Sequence, residues 1–210
     1  MFYRVPVLLV LALFIARKSV AKNSCTYSTW AWSTIEKKAM NHQNIIKPRS
    51  QLTHFERDKK SPCTICKEDQ EWIHIEGIPP FQICRHFAER VREVLLASLK
   101  QGFPIYEVIG YRVGKSKGSI DKKGLRTVYS HHSFGTAIDI NPKSNGLYEN
   151  CLAFSPKCRL LRGGHWKNIN PASIKKESII YHEFRNMGWL WGGEIKGQQK
   201  DFMHFSATGD

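Results

Sequence analysis

The clearest periodicity in the chain lies at residues 81–100, where Ile83, Phe87, Val91, Leu95 and Leu99 recur every fourth position, with Arg85, Glu89, Arg92 and Glu93 between them. One apolar stripe on a charged cylinder predicts an amphipathic helix. Pro79-Pro80 before it and Gly102 after it punctuate its ends. A second, shorter helix is predicted at 177–186, where Ile179, Ile180 and Phe184 share a face and Gly188 follows as a C-terminal cap. β-branched and aromatic residues predict strands at 106–113 and 137–141, the latter ended by Pro142, and a short last strand at 201–206. Between them, 114–124 is glycine- and lysine-rich and reads as a mobile basic loop. Residues 143–171 read as an insertion, and 25–70 as irregular, polar and basic, with Trp30 and Trp32 as large apolar anchors. The expected class is α+β: a small antiparallel sheet flanked by helices, with a disulfide-stapled N-terminal extension.

The first residues change that picture by removing themselves from it. Arg4 precedes an unbroken apolar run at 5–15, too short for the roughly 20 residues a spanning helix needs. Ser19-Val20-Ala21 supplies small residues suited to a signal-peptidase site, so residues 1–21 read as an export signal cleaved after Ala21. Arg17 and Lys18, between the run and that site, leave an uncleaved anchor as the other reading. The expected organisation is then an extension at 22–77 and a main domain at 78–210, with no stable membrane span.

All six cysteines, Cys25, Cys63, Cys66, Cys84, Cys151 and Cys158, lie beyond the cleavage site. An even number in an exported chain predicts disulfides, and Cys151 with Cys158 is the expected pair across a short loop. Cys63-Thr64-Ile65-Cys66 also fits a redox pair or half a zinc site, but the loop residues before it and the lack of a second matched pair favour a structural role. The formal charge is +14, and losing Arg4, Arg17 and Lys18 lowers it to +11. Such a surface seeks a polyanion. Export points to a cell envelope, periplasmic or extracellular, rather than to nucleic acid. No aromatic–basic stacking pattern or phosphate-cradling loop supports a nucleic-acid partner.

The chemistry concentrates in two segments. His132 precedes Asp139 by seven residues, and Asp201 precedes His204 by three. Two imidazoles and a carboxylate make a catalytic zinc set with one position left for water, whose pKa the ion lowers to about 7. A further carboxylate must then accept the proton and hand it to the leaving amine. Alternation in the 137–141 strand would turn Asp139 toward a cleft over the sheet and Ile138 and Ile140 toward the core. Asp201 and His204 can serve one site only if Asp201 sits on the turn entering the last strand. His131 could replace His132 under a one-residue shift of the loop. His42, His54, His74, His86, His165 and His182 read as surface residues.

Ser130, His132, Gly135, Ala137 and Asp139 fill a Ser-x-His-x-x-Gly-x-Ala-x-Asp pattern. It resembles the signature of the zinc D-alanyl-D-alanine carboxypeptidases of the vancomycin-resistance type. Trp191-Gly192-Gly193 followed by Asp201-Phe202-Met203-His204-Phe205 is similar to the second motif of their relatives, the phage L-alanyl-D-glutamate endolysins. The resemblance implies one zinc ion on His132, Asp139 and His204, with Asp201 as general base and then acid. It also implies that Arg112, in Gly110-Tyr111-Arg112, stabilises the oxyanion, and that Ser130 contacts substrate or supports the ligands. The implied activity is hydrolysis of a peptide bond in peptidoglycan stem peptides or cross-bridges, with an endopeptidase favoured over a D,D-carboxypeptidase. Ser206 stands where the family often has an acid. The extension and the insertion exceed the family core, and either could recognise an envelope-assembly partner. A non-catalytic zinc module that binds wall remains the reading outside enzymology.

Overall fold

The computed structural model describes residues 23–209; the proposed export signal and its cleavage site lie outside them. Among the described residues, thirteen strands in four small sheets accompany two α-helices, so the expected α+β class holds in outline while strands dominate. No described helix is long and apolar enough to cross a membrane.

The N-terminal part is ordered where the sequence read as irregular. β1 (Ser24–Ser33) and β2 (Lys38–Pro48) form an antiparallel hairpin. Cys25, Tyr27, Thr29, Ala31 and Ser33 alternate inward along β1. β1 also pairs in parallel with β6 (Val113–Ile120), which pairs with β7 (Arg126–Tyr129), giving a sheet ordered β2-β1-β6-β7. The basic stretch expected as a loop is therefore mostly strand. Its turn is closed by Asp121, whose carboxylate accepts the Lys123 and Leu125 amides.

The first helix starts later than its periodicity suggests. Residues 81–84 belong to β4 (Ile78–Cys84), paired with β3 (Gln70–Ile75), and helix α1 runs Arg85–Lys100. Ile83 fits a two-residue period with Phe81 as well as the four-residue one, and β4 has a single strand neighbour, which is where prolines such as Pro79 and Pro80 are tolerated. The expected boundary at 77/78 falls in the turn of this hairpin, so the extension is continuous with the rest of the fold.

α1 buries Ala88, Val91, Val94, Leu95 and Ser98 and helix α2 (Ile179–Asn186) buries Ile180 and Phe184. Apart from Ser98, they form the main core together with Trp189, Phe205, Ile138 and Ile140. The Val, Leu, Ile and Phe side chains among them are each worth roughly 1.5–3 kcal/mol when buried. Central to it is a sheet ordered β11-β13-β8-β5: β11 (Leu190–Trp191), β13 (His204–Ser206), β8 (Ala137–Ile140) and β5 (Val108–Ile109). The strand expected across 106–113 is thus split between β5 and β6.

The insertion is also not featureless. β9 (Leu147–Glu149) pairs with β10 (Arg159–Arg162) on one side and with β12 (Gln199–Asp201) on the other. The expected Cys151–Cys158 disulfide closes the loop between β9 and β10. Cys25 bonds Cys66 and Cys63 bonds Cys84, so Cys63 and Cys66 are not paired with each other. These two bonds lie in a second buried cluster with Tyr27, Ile65, Val113 and Phe134. Three disulfides point to an extracytoplasmic chain.

Candidate metal centre

Register in the central sheet brings the first two groups together. His204 on β13 stands directly opposite Asp139 on β8, so both side chains leave the same face. Ile138, Ile140 and Phe205 leave the other face and are fully buried in the core. His132 arrives from a 3₁₀ turn (His131–Phe134) between β7 and β8. Gly135 ends that turn at φ 64°, a left-handed conformation that costs glycine little. A Cβ there would also overlap the Gln70 Oε1 and the Cys84 amide nitrogen. Its carbonyl accepts the Cys84 amide at 3.0 Å, so the turn leans on the residue that bonds to Cys63.

The three side chains meet closely. His132 Nε2 lies 3.0 Å from Asp139 Oδ1 and 3.3 Å from His204 Nδ1, and His204 Nδ1 lies 3.0 Å from the same Asp139 oxygen. His132 donates its Nδ1 proton to the Gly110 carbonyl at 2.8 Å, which leaves Nε2 with a lone pair directed at the cluster. His132 Nε2 and the carboxylate oxygen are then both acceptors, and His204 Nδ1 is the one remaining source of a proton among the three. The edge of a tetrahedron with bonds of about 2.0–2.1 Å is about 3.3 Å, so the triangle is the size of one face of a zinc coordination shell. The donor set therefore fits a metal ion, and the three residues form a group that could hold one.

Charge in the site follows from burial and neighbours. Burial, reinforced by Arg112, pushes the His132 imidazole down to about 4 despite the opposing pull of Asp139, so the ring is neutral as a ligand must be. Burial opposes ionisation of Asp139, but the imidazoles of His132 and His204 hold its carboxyl well below the usual range. Arg112 donates to the second oxygen of Asp139 at 2.6 Å, and its own Nε is buried without a partner.

The strand expected across 201–206 is instead two: Asp201 ends β12, Phe202 and Met203 turn, and His204 begins β13, so Asp201 lies on the strand before the turn rather than on the turn itself. The Trp-Gly-Gly segment explains itself here. Trp191 donates its indole N–H to the Phe202 carbonyl at 2.9 Å, while a Cβ on Gly192 would overlap the Asp201 carbonyl oxygen and lie 2.9 Å from the Asp201 Cβ. Burial, then the charge of Asp139, raises the Asp201 carboxyl to about 6. Its Oδ1 is buried with no partner.

Other expected residues lie around this group. Ser130 is buried at the head of the 3₁₀ turn, its hydroxyl 3.5 Å from that of Ser133, which in turn bridges the Gly114 backbone. His131 points instead to Ser206 Oγ at 3.3 Å, outside the three-residue group. Sequence reasoning missed the Gly110 carbonyl, a backbone contact that its place in Gly110-Tyr111-Arg112 alone could have suggested. It also missed the ion pair between Arg112 and Asp139.

No curated protein and no solved structure matches the chain. Residues 123–207, which contain the candidate ligands and Asp201, match the sequence model of a family described as D-alanyl-D-alanine carboxypeptidase. That match and the His-Asp-His group together support a metallopeptidase.

Proposed function

We propose that the chain is a zinc-dependent peptidoglycan peptidase that hydrolyses a peptide bond in the stem peptide or cross-bridge, acting as an endopeptidase. The observation that carries the reading is the triangle of His132 Nε2, Asp139 Oδ1 and His204 Nδ1, a donor set of the kind and size that one metal ion takes. One zinc ion held by these residues would supply a Lewis acid and an activated water.

The chain's own groups perform the remaining work. Asp201, with a carboxyl near 6, takes the water's proton and passes it to the leaving amine. Arg112 anchors Asp139 through one nitrogen, and its buried, unpartnered Nε–H is the group assigned to the developing oxyanion. Ser130 steadies the His132 turn through Ser133 rather than touching substrate. Residues 1–21 act as the export signal, and 78–210 form the peptidase unit braced by the preceding strands.

Asp201→Ala should keep one equivalent of zinc by atomic absorption while turnover on purified sacculi falls roughly 10²–10⁴-fold. Fragment release at the parental rate would reject the mechanism. The family description favours a second reading, a D,D-carboxypeptidase that trims stem peptides. Mass spectrometry of products from defined muropeptides separates them: a released terminal D-alanine marks the carboxypeptidase, an internal cut the endopeptidase. Stoichiometric zinc with no product from either substrate would mark a non-catalytic wall-binding module.

A further inference from the structure

The insertion strand β10 ends at Arg162, and its position relative to Asp201 is fixed by register. Leu147 at the start of β9 is the cross-strand partner of Arg162 on one side and of Asp201 on the other. Direct partners present their side chains on one face, so Arg162, Leu147 and Asp201 form a row, with the outer backbones about 10 Å apart. A bulge between Leu160 and Arg162 sets this register. The neighbouring residue reinforces the placement: a Cβ on Gly163 would lie 3.0 Å from the Met203 Cε, so the end of β10 packs against the turn between Asp201 and His204.

Arg159 and Arg162 differ in how they are used. Arg159 is paired with Glu149. Arg162 is exposed, and among the described residues its side chain has no ion pair or hydrogen bond. Its charge nevertheless reaches Asp201, drawing that carboxyl down against burial. The Cys151–Cys158 bond closes the loop leading into β10 and fixes where this cation is presented.

We propose that Arg162 is a specificity residue that binds a free carboxylate of the peptide substrate beside Asp201. This rests on the peptidase reading for the identity of the ligand, but the recognition chemistry is that of a guanidinium fork on a carboxylate. Stem peptides offer two such groups, the α-carboxylate of an isoglutamyl residue and the C-terminal carboxylate. The insertion thereby contributes a contact that the strands carrying His132, Asp139 and His204 do not.

The test is equilibrium binding by calorimetry of a synthetic L-Ala-D-isoglutamyl-L-Lys-D-Ala peptide to the zinc-loaded protein. The peptide is made with both carboxylates free, with each amidated in turn, and with both amidated. Arg162→Ala should weaken the free-carboxylate peptide roughly ten- to hundredfold and leave the doubly amidated peptide unchanged. The singly amidated peptides identify which group is bound. Arg162→Lys should recover part of the loss. Arg159→Ala removes the same charge from the same strand and should change binding less than about twofold. Equal binding by parent and Arg162→Ala, or equal weakening of every peptide form, would overturn the inference. Hydrolysis of sacculi by the parent protein is measured separately. Turnover without carboxylate discrimination rejects the role of Arg162 alone, whereas discrimination without turnover rejects the peptidase reading and keeps the anion site.

Discussion

At the scale of single residues, the site works through contrasts between neighbouring groups. Asp139 and Asp201 are both carboxylates in one buried region, yet the first is held ionised and the second is raised to about 6. On the proposed mechanism this separation would divide the roles, the permanently charged group holding a cation and the titrating one moving protons. A zinc ion held by the neighbouring group would favour the ionised form and draw Asp201 downward. The acidic limb of kcat/KM is therefore expected at or below about pH 6, with activity lost as pH falls through it. A limb well above 6, read from a pH–rate profile, would assign the titration to another group. The grouping of His132, Asp139 and His204 was legible because holding a metal ion needs particular side-chain types. What could not be read was Arg112 gripping Asp139, since the two are 27 residues apart and join only when β5 pairs with β8.

Elements explain why the rest was harder to read. β1 reverses the usual cue, placing small and polar Thr29, Ala31 and Ser33 inward and leaving Trp32 exposed on the other side. Periodicity of hydrophobicity then carries little signal, although the strand is real and its backbone bonds are made by β2 and β6. Likewise β6 is a strand without apolar alternation, stabilised by partners rather than by propensity. The 3₁₀ turn carrying His132 inherits its rigidity from such contacts. Phe134 packs into the cluster that holds Cys25–Cys66 and Cys63–Cys84, and Gly135 bonds the backbone of Cys84. Replacing Cys63 and Cys84 together by Ser should cost about 2–4 kcal/mol in chemical denaturation. It should also weaken zinc binding in a chelator competition, whereas removing Cys151 and Cys158 should leave zinc affinity near the parental value. Gly135→Ala should destabilise by about 2 kcal/mol or more, because the residue is both left-handed and tightly enclosed.

For the molecule as a whole, charge and pH set the working range. Glu56 is buried, and although burial disfavours its charge, Lys47 at 2.6 Å, Tyr27 and Thr53 hold its carboxyl near 2 instead of 4.5. A depressed pKa contributes stability present above 4.5 and lost as pH falls from 4.5 toward 2, here at most about 3 kcal/mol. Tryptophan fluorescence of Glu56→Gln should show a flatter acid unfolding curve and a lower stability at neutral pH. The formal charge of +14 before any processing predicts that binding to anionic sacculi weakens with salt. Retention undiminished at about 0.5 M would argue against an electrostatic contribution.

On the peptidase reading, the Cys25–Cys66 and Cys63–Cys84 links would also govern when catalysis can begin. Thiols in a reducing cytosol stay unjoined, and the turn that presents His132 leans on those joints. A newly made chain would therefore be dormant toward wall precursors inside the cell that makes it, and competent only after crossing the membrane and meeting an oxidant.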